Sequence, residues 1–172
     1  MYASARTIAG GTDEKLFEDY FDLQLAMLED IKPRVVGHFD LIRLLSDEPN
    51  ADIRRFPRVW EKVTRNLKVI AAQGGLVEIN TSALRKGLLE PYPKREIVET
   101  FLEMGGKLCL SDDSHGIGHV GTNYGKAIEY LEDIGVEELW CLEGKKEGRE
   151  AQACGVKSVG LRIVKETFRP SG

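Results

Sequence analysis

Two spacings of apolar residues alternate along the chain. Leu16, Phe17, Tyr20, Phe21, Leu25 and Leu28 form a 3.6-residue stripe, which predicts an amphipathic helix capped by Thr12 and Asp13 and stopped by Pro33. Residues 34–37 (RVVG) then read as a short buried strand ending at His38. After a polar connection with Pro49 and Pro57, Val59, Trp60, Val63, Leu67, Ile70 and Ala71 predict a second helix, closed by Gly74 and Gly75. Residues 76–80 (LVEIN) predict the next strand, and TSALRKGLLEPY a loop. Pro93 suits a first helical position, with Ile97, Val98, Phe101, Leu102 and Met104 facing inward. Residues 107–111 predict a third strand, Thr122 a cap for a helix through Ile128, Leu131 and Ile134, and residues 138–142 (ELWCL) a fourth strand. This αβαβαβαβ order, with helices long enough for crossovers, predicts a parallel sheet covered by helices.

From about residue 145 the character changes. GKKEGREAQACG is charged and broken by glycine, and KSVGLRIVKET offers one short strand, so residues 145–172 read as a tail after a domain over 1–144. The whole chain has 172 residues, 42% of them hydrophobic and 30% charged, enough for one ordinary core, and no apolar run approaches the roughly 20 residues of a membrane-spanning helix. A net charge of −4 and the absence of a basic stripe argue against nucleic acid as partner. Cys109, Cys141 and Cys154 form no C-x-x-C pair, and no secretory pattern opens the chain; both features point to reduced thiols and a cytoplasmic protein.

The candidate chemistry lies where strands end. His38 and Asp40 follow the first strand, Asn80 closes the second with Ser82 and Arg85 beyond it, and Asp112, Asp113 and His115 follow the third. In parallel α/β folds the carboxyl ends of the strands share one side, and that side carries the active site. A lone Asp after a strand is often a helix cap, and a lone His often a hydrogen-bonded structural residue. Asp113-Ser114-His115 can aim two side chains at one centre, however, and His38-Phe39-Asp40 recurs on the neighbouring strand. All three histidines (His38, His115, His119) lie in these two loops, which favours a divalent metal: zinc, manganese or iron rather than magnesium. Arg85 reads equally as an anion-binding fork and as a solvated surface residue. No Walker A, G-x-G-x-x-G or G-x-S-x-G pattern is present.

VVGHFDLIRL, GGLVEINTSALRKGLLEPYP and LCLSDDSHGIGHVG together resemble the polymerase-and-histidinol-phosphatase (PHP) metallohydrolases, closest to their monofunctional, fungal-type histidinol-phosphatases. The resemblance runs from about residue 6 to about residue 144. It implies an α/β fold that is the C-terminal part of a distorted (β/α)7 barrel, up to three divalent metals in the full site, and hydrolysis of L-histidinol phosphate in histidine biosynthesis. It implies His38, Asp113 and His115 as metal ligands, and Arg85, Asn80 and His119 as residues near the phosphate-ester substrate. The family's N-terminal His-x-His pair and its further ligands are missing from this chain. The expectation is therefore about one metal at most, with little activity alone, and partnership with a missing N-terminal half or self-association. The alternatives are a non-catalytic half-barrel or a PHP relative acting on another phosphate ester.

Overall fold

The computed structural model describes residues 6–144 and 155–168. Helix α1 (Asp13–Ile31) begins where the Thr12 hydroxyl accepts from the Lys15 amide, and ends at Lys32 in the left-handed conformation, just before Pro33. Helix α2 (Pro57–Gln73) starts on its proline and closes at Gly74, whose φ of +66° suits a residue without Cβ. A short helix α3 (Ser82–Arg85) breaks the predicted loop. Helices α4 (Arg95–Glu103) and α5 (Tyr124–Ile134) follow. Two expected caps are corrected. Helix α4 begins after Lys94, so Pro93 stands outside it. Asn123, at φ +64°, precedes α5, while the Thr122 hydroxyl donates to the Gly118 carbonyl.

Strands β1 (Val35–Val36), β2 (Leu76–Asn80) and β3 (Lys107–Ser111) form a parallel three-stranded sheet in that order. The register sets Val77 beside Leu108, Glu78 beside Cys109, Ile79 beside Leu110 and Asn80 beside Ser111. Alternation then separates two faces. Val77, Ile79 and Leu108 enter a core with Phe21, Leu67 and Phe101 from the helices. Each such side chain contributes roughly 1.5–3 kcal/mol when fully buried, so the helical face suffices to seat the sheet. The opposite face is left to Glu78, Asn80, Cys109 and Ser111.

The fourth strand departs from expectation. β4 (Glu138–Leu142) lies beside β3 but outside its ladder, and pairs antiparallel with β5 (Val156–Gly160), which leads into helix α6 (Leu161–Thr167). The Lys107 ammonium sits 3.9 Å above the Trp140 ring, filling the gap between β3 and β4 with a cation–π contact. The charged segment of residues 145–154 lies outside the described residues. Among the described residues no helix is long and apolar enough to cross a membrane.

Candidate functional site

The site begins with a carboxylate in an apolar strand. Oε2 of Glu78 accepts from the His38 backbone N–H at 3.0 Å, from Asn80 Nδ2 at 3.0 Å, and lies 3.1 Å from His38 Nδ1. Burial alone would raise the Glu78 pKa, but hydrogen bonds from His38, Asn80 and Ser111 outweigh it and lower the value to about 2. The same pairing raises the His38 pKa above its ordinary range, against the effect of burial. The His38 ring stacks on buried Tyr92 with centroids 6.0 Å apart, and the Tyr20 hydroxyl donates to the His38 carbonyl at 2.8 Å. Asn80 is fully buried; its Oδ1 accepts from the Ser82 amide at 2.9 Å, and its backbone bridges to Tyr92.

From β3 comes the second component. Asp113 Oδ2 stands 3.5 Å from His38 Nε2 and 3.8 Å from Lys86 Nζ. Four described non-glycine residues have positive φ; Lys32 and Asn123 sit at helix ends, and the other two are His38 (+53°) and Asp113 (+52°). A left-handed backbone at both facing residues is the kind of local cost that the surrounding structure holds in place at functional sites. Arg85 contributes to that hold: its guanidinium donates to the Asp112 carbonyl at 3.0 Å and the Asp113 carbonyl at 3.1 Å. Lys86 also reaches Ser82 Oγ at 3.3 Å and lies 5.5 Å above the Tyr92 ring.

The remaining expected residues divide. Asp112 turns to its own loop, accepting from Ser114 N, Ser114 Oγ and Gly121 N, so it acts as a cap for the turn. His115 is exposed, and its Nδ1 lies 2.8 Å from the Asp113 carbonyl. His119 sits in the turn Ile117–His119 with Nδ1 buried and without a hydrogen-bond partner among the described residues. Asp40 does not join its neighbour His38: it is buried against the Arg43 guanidinium at 3.0 Å and the Lys94 amide at 3.0 Å, a structural network. Glu78, Lys86 and Tyr92 escaped the sequence reading. The one available signal was a lone carboxylate inside the apolar run LVEIN.

Imidazole and carboxylate converging at 3.5 Å are a donor set that suits zinc, manganese or iron. Among the described residues no group of three or more His, Cys, Asp or Glu side chains is gathered closely enough to hold a metal ion. His38 and Asp113 fit one side of a metal site and do not complete it. On the same sheet face, burial and then the Glu78 charge push the Cys109 thiol up to about 12, which disfavours its thiolate.

No family model matches the chain. It is 40% identical over 169 residues to a probable histidinol-phosphatase of Schizosaccharomyces pombe, covering 98% of this chain and 54% of that protein. It is 39% identical over 143 residues to the histidinol-phosphatase of Saccharomyces cerevisiae, covering 71% and 43% respectively. A crystal structure of a candidate histidinol phosphatase from Listeria monocytogenes matches with a TM-score of 0.60 at 27% identity, over 67% of this chain and 45% of that one. The chain thus spans about half the length of the curated fungal relatives it matches.

Proposed function

We propose that this chain, which belongs to the histidinol-phosphatase family, supplies part of the active site of a cytoplasmic, metal-dependent phosphomonoesterase that hydrolyses L-histidinol phosphate to histidinol and phosphate. The observation that carries this reading is the meeting of His38 and Asp113, delivered by two different strand ends, each on a left-handed backbone. His38 and Asp113, with His115 from the same loop as Asp113, would supply part of the coordination of a divalent metal, zinc, manganese or iron, whose remaining ligands lie outside the described residues. Such an ion polarises a phosphoryl oxygen and lowers the pKa of bound water. This chain's own residues supply the surroundings. Lys86 brings a positive charge beside Asp113, where a phosphate ester would carry its negative charge. Arg85 orients the Asp112–Asp113 turn toward the same point, and Asn80 keeps Glu78 and His38 in place. His119, on the glycine-rich loop, is the remaining residue we assign to the substrate.

The parallel sheet is, on this reading, one arc of the family's (β/α) barrel. In support, the outer edge of β1 has no partner among the described strands, and the ligand set is incomplete among the described residues. The partner is then the remaining half of the barrel, or a second copy of this chain. The same incompleteness favours a second reading, a half-barrel that acts only as a subunit. Phosphate release from histidinol phosphate distinguishes them, measured for this chain with zinc or manganese, alone and mixed with the other half of a fungal relative. Negligible turnover alone and a rise on mixing are expected. No turnover in either setting would sink the phosphatase reading, and full turnover by the chain alone would show that no other half is needed.

A further inference from the structure

We infer that Glu78 is a positioning residue: it makes Nδ1 the proton-bearing nitrogen of His38 and so presents Nε2 toward Asp113 as the ligand atom. The inference rests on the reading of His38 and Asp113 as ligands of one divalent metal. Glu78 belongs to none of the residue sets read from the sequence; only the folded arrangement brings it to the site.

The argument is one of donors and acceptors. An ionised carboxylate only accepts, so the 3.1 Å contact between Glu78 Oε2 and His38 Nδ1 favours a hydrogen on Nδ1. A neutral ring then carries its lone pair on Nε2, the nitrogen that faces Asp113 Oδ2 at 3.5 Å. Asn80 Nδ2, 3.3 Å from Nδ1, and Asp113 Oδ2, 3.5 Å from Nε2, would favour the opposite tautomer. The Glu78 carboxylate is closer than either, its oxygen also holds the His38 main chain, and Asn80 already donates to it at 3.0 Å, so Glu78 wins.

Geometry also fixes the ring's direction. The same Oε2 accepts the His38 backbone N–H at 3.0 Å, tying imidazole and main chain to one atom. Gly37 leaves the room: a Cβ there would sit 3.0 Å from that oxygen. Metal-binding histidines are commonly oriented in this way, by a carboxylate or carbonyl on the other ring nitrogen. His115 reaches the equivalent state by another route, with Nδ1 2.8 Å from the Asp113 carbonyl and Nε2 left over. Both histidines thus offer Nε2.

Long-range proton–nitrogen correlation spectra of the metal-free chain, labelled at its histidines and held in mildly alkaline buffer, read the tautomer directly. His38 is assigned by loss of its signal in His38→Gln. The expected result is the Nδ1–H form in the wild type and in Glu78→Gln, whose amide oxygen still accepts, and the Nε2–H form in Glu78→Met. Zinc titration of the same proteins should show Glu78→Met binding roughly 10–100-fold more weakly, with Glu78→Gln nearer the wild type. An Nε2–H wild type overturns the inference, and this holds even if Glu78→Met fails to fold. A tautomer unchanged in Glu78→Met, or one that changes while zinc affinity does not, overturns it as well. Absence of phosphatase activity on mixing with the other half, with these results intact, would count against the proposed function and leave the role of Glu78 standing.

Discussion

The two strand ends that meet in the candidate site are built differently. Around His38 the supporting groups are buried (Asn80, Tyr92) or half-buried (Glu78, Tyr20) and cross-linked through residues far apart in sequence. After β3, the loop from Ser114 to Gly118 is exposed, Ile117 stands 96% exposed, and the loop is held largely by short-range hydrogen bonds that the Asp112 carboxylate and the Asp113 carbonyl accept. One side is preorganised by the core; the other is a local turn laid against it, anchored by Arg85. The difference teaches that substitutions on the His38 side should register first as stability, and those on the Asp113 side first as binding.

The largest expected effect lies just behind His38. Arg43 is buried, pairs with Asp40 and donates to the Pro49, Glu90 and Pro91 carbonyls, so Arg43→Met leaves a buried carboxylate without its cation. A loss of about 3–5 kcal/mol in urea-induced unfolding is expected. A change under 1 kcal/mol would break the comparison. Next in size is Asp113→Asn, which keeps a residue tolerant of positive φ and removes the charge. Its unfolding midpoint should stay close to wild type, while calorimetric zinc affinity falls by more than the roughly 10–100-fold typical of losing a supporting group. Asp112→Asn should fall by less, since its carboxylate serves the turn; the reverse ranking would exchange the roles of the two aspartates.

A smaller and sharper effect follows from pH. Glu78 titrates at about 2 instead of the ordinary 4.5, so its contribution to stability is present above about 4.5 and is lost as pH falls toward 2. His38 is raised above 6.5 by Glu78, so its contribution is complete below 6.5 and is lost as pH rises through its folded value. The pair therefore contributes most between about 4.5 and 6.5. The stability gap between wild type and Glu78→Gln should peak in that window and shrink on both sides. A gap independent of pH would mean that the pairing is not electrostatic.

The sequence by itself determined the helices α1, α2, α4 and α5 and the existence of β2, β3 and β4, because burial imposes a period that every residue in an element repeats. It also determined that polar residues cluster at strand ends, which made His38 and Asp113 legible. The partner of β4 was not: ELWCL suits a parallel or an antiparallel neighbour alike, and the strand that decides the matter, Val156–Gly160, lies beyond a charged segment. Nor was the use of Arg85, whose fork meets two carbonyls only because α3 and the turn after β3 come together. Glu78 is the clearest case. Its meaning depends on the parallel register and on Gly37 admitting its carboxylate to a histidine 40 positions earlier. Periodicity is a local property and survives in one dimension; a hydrogen bond between strands exists only once the tertiary structure has set their register.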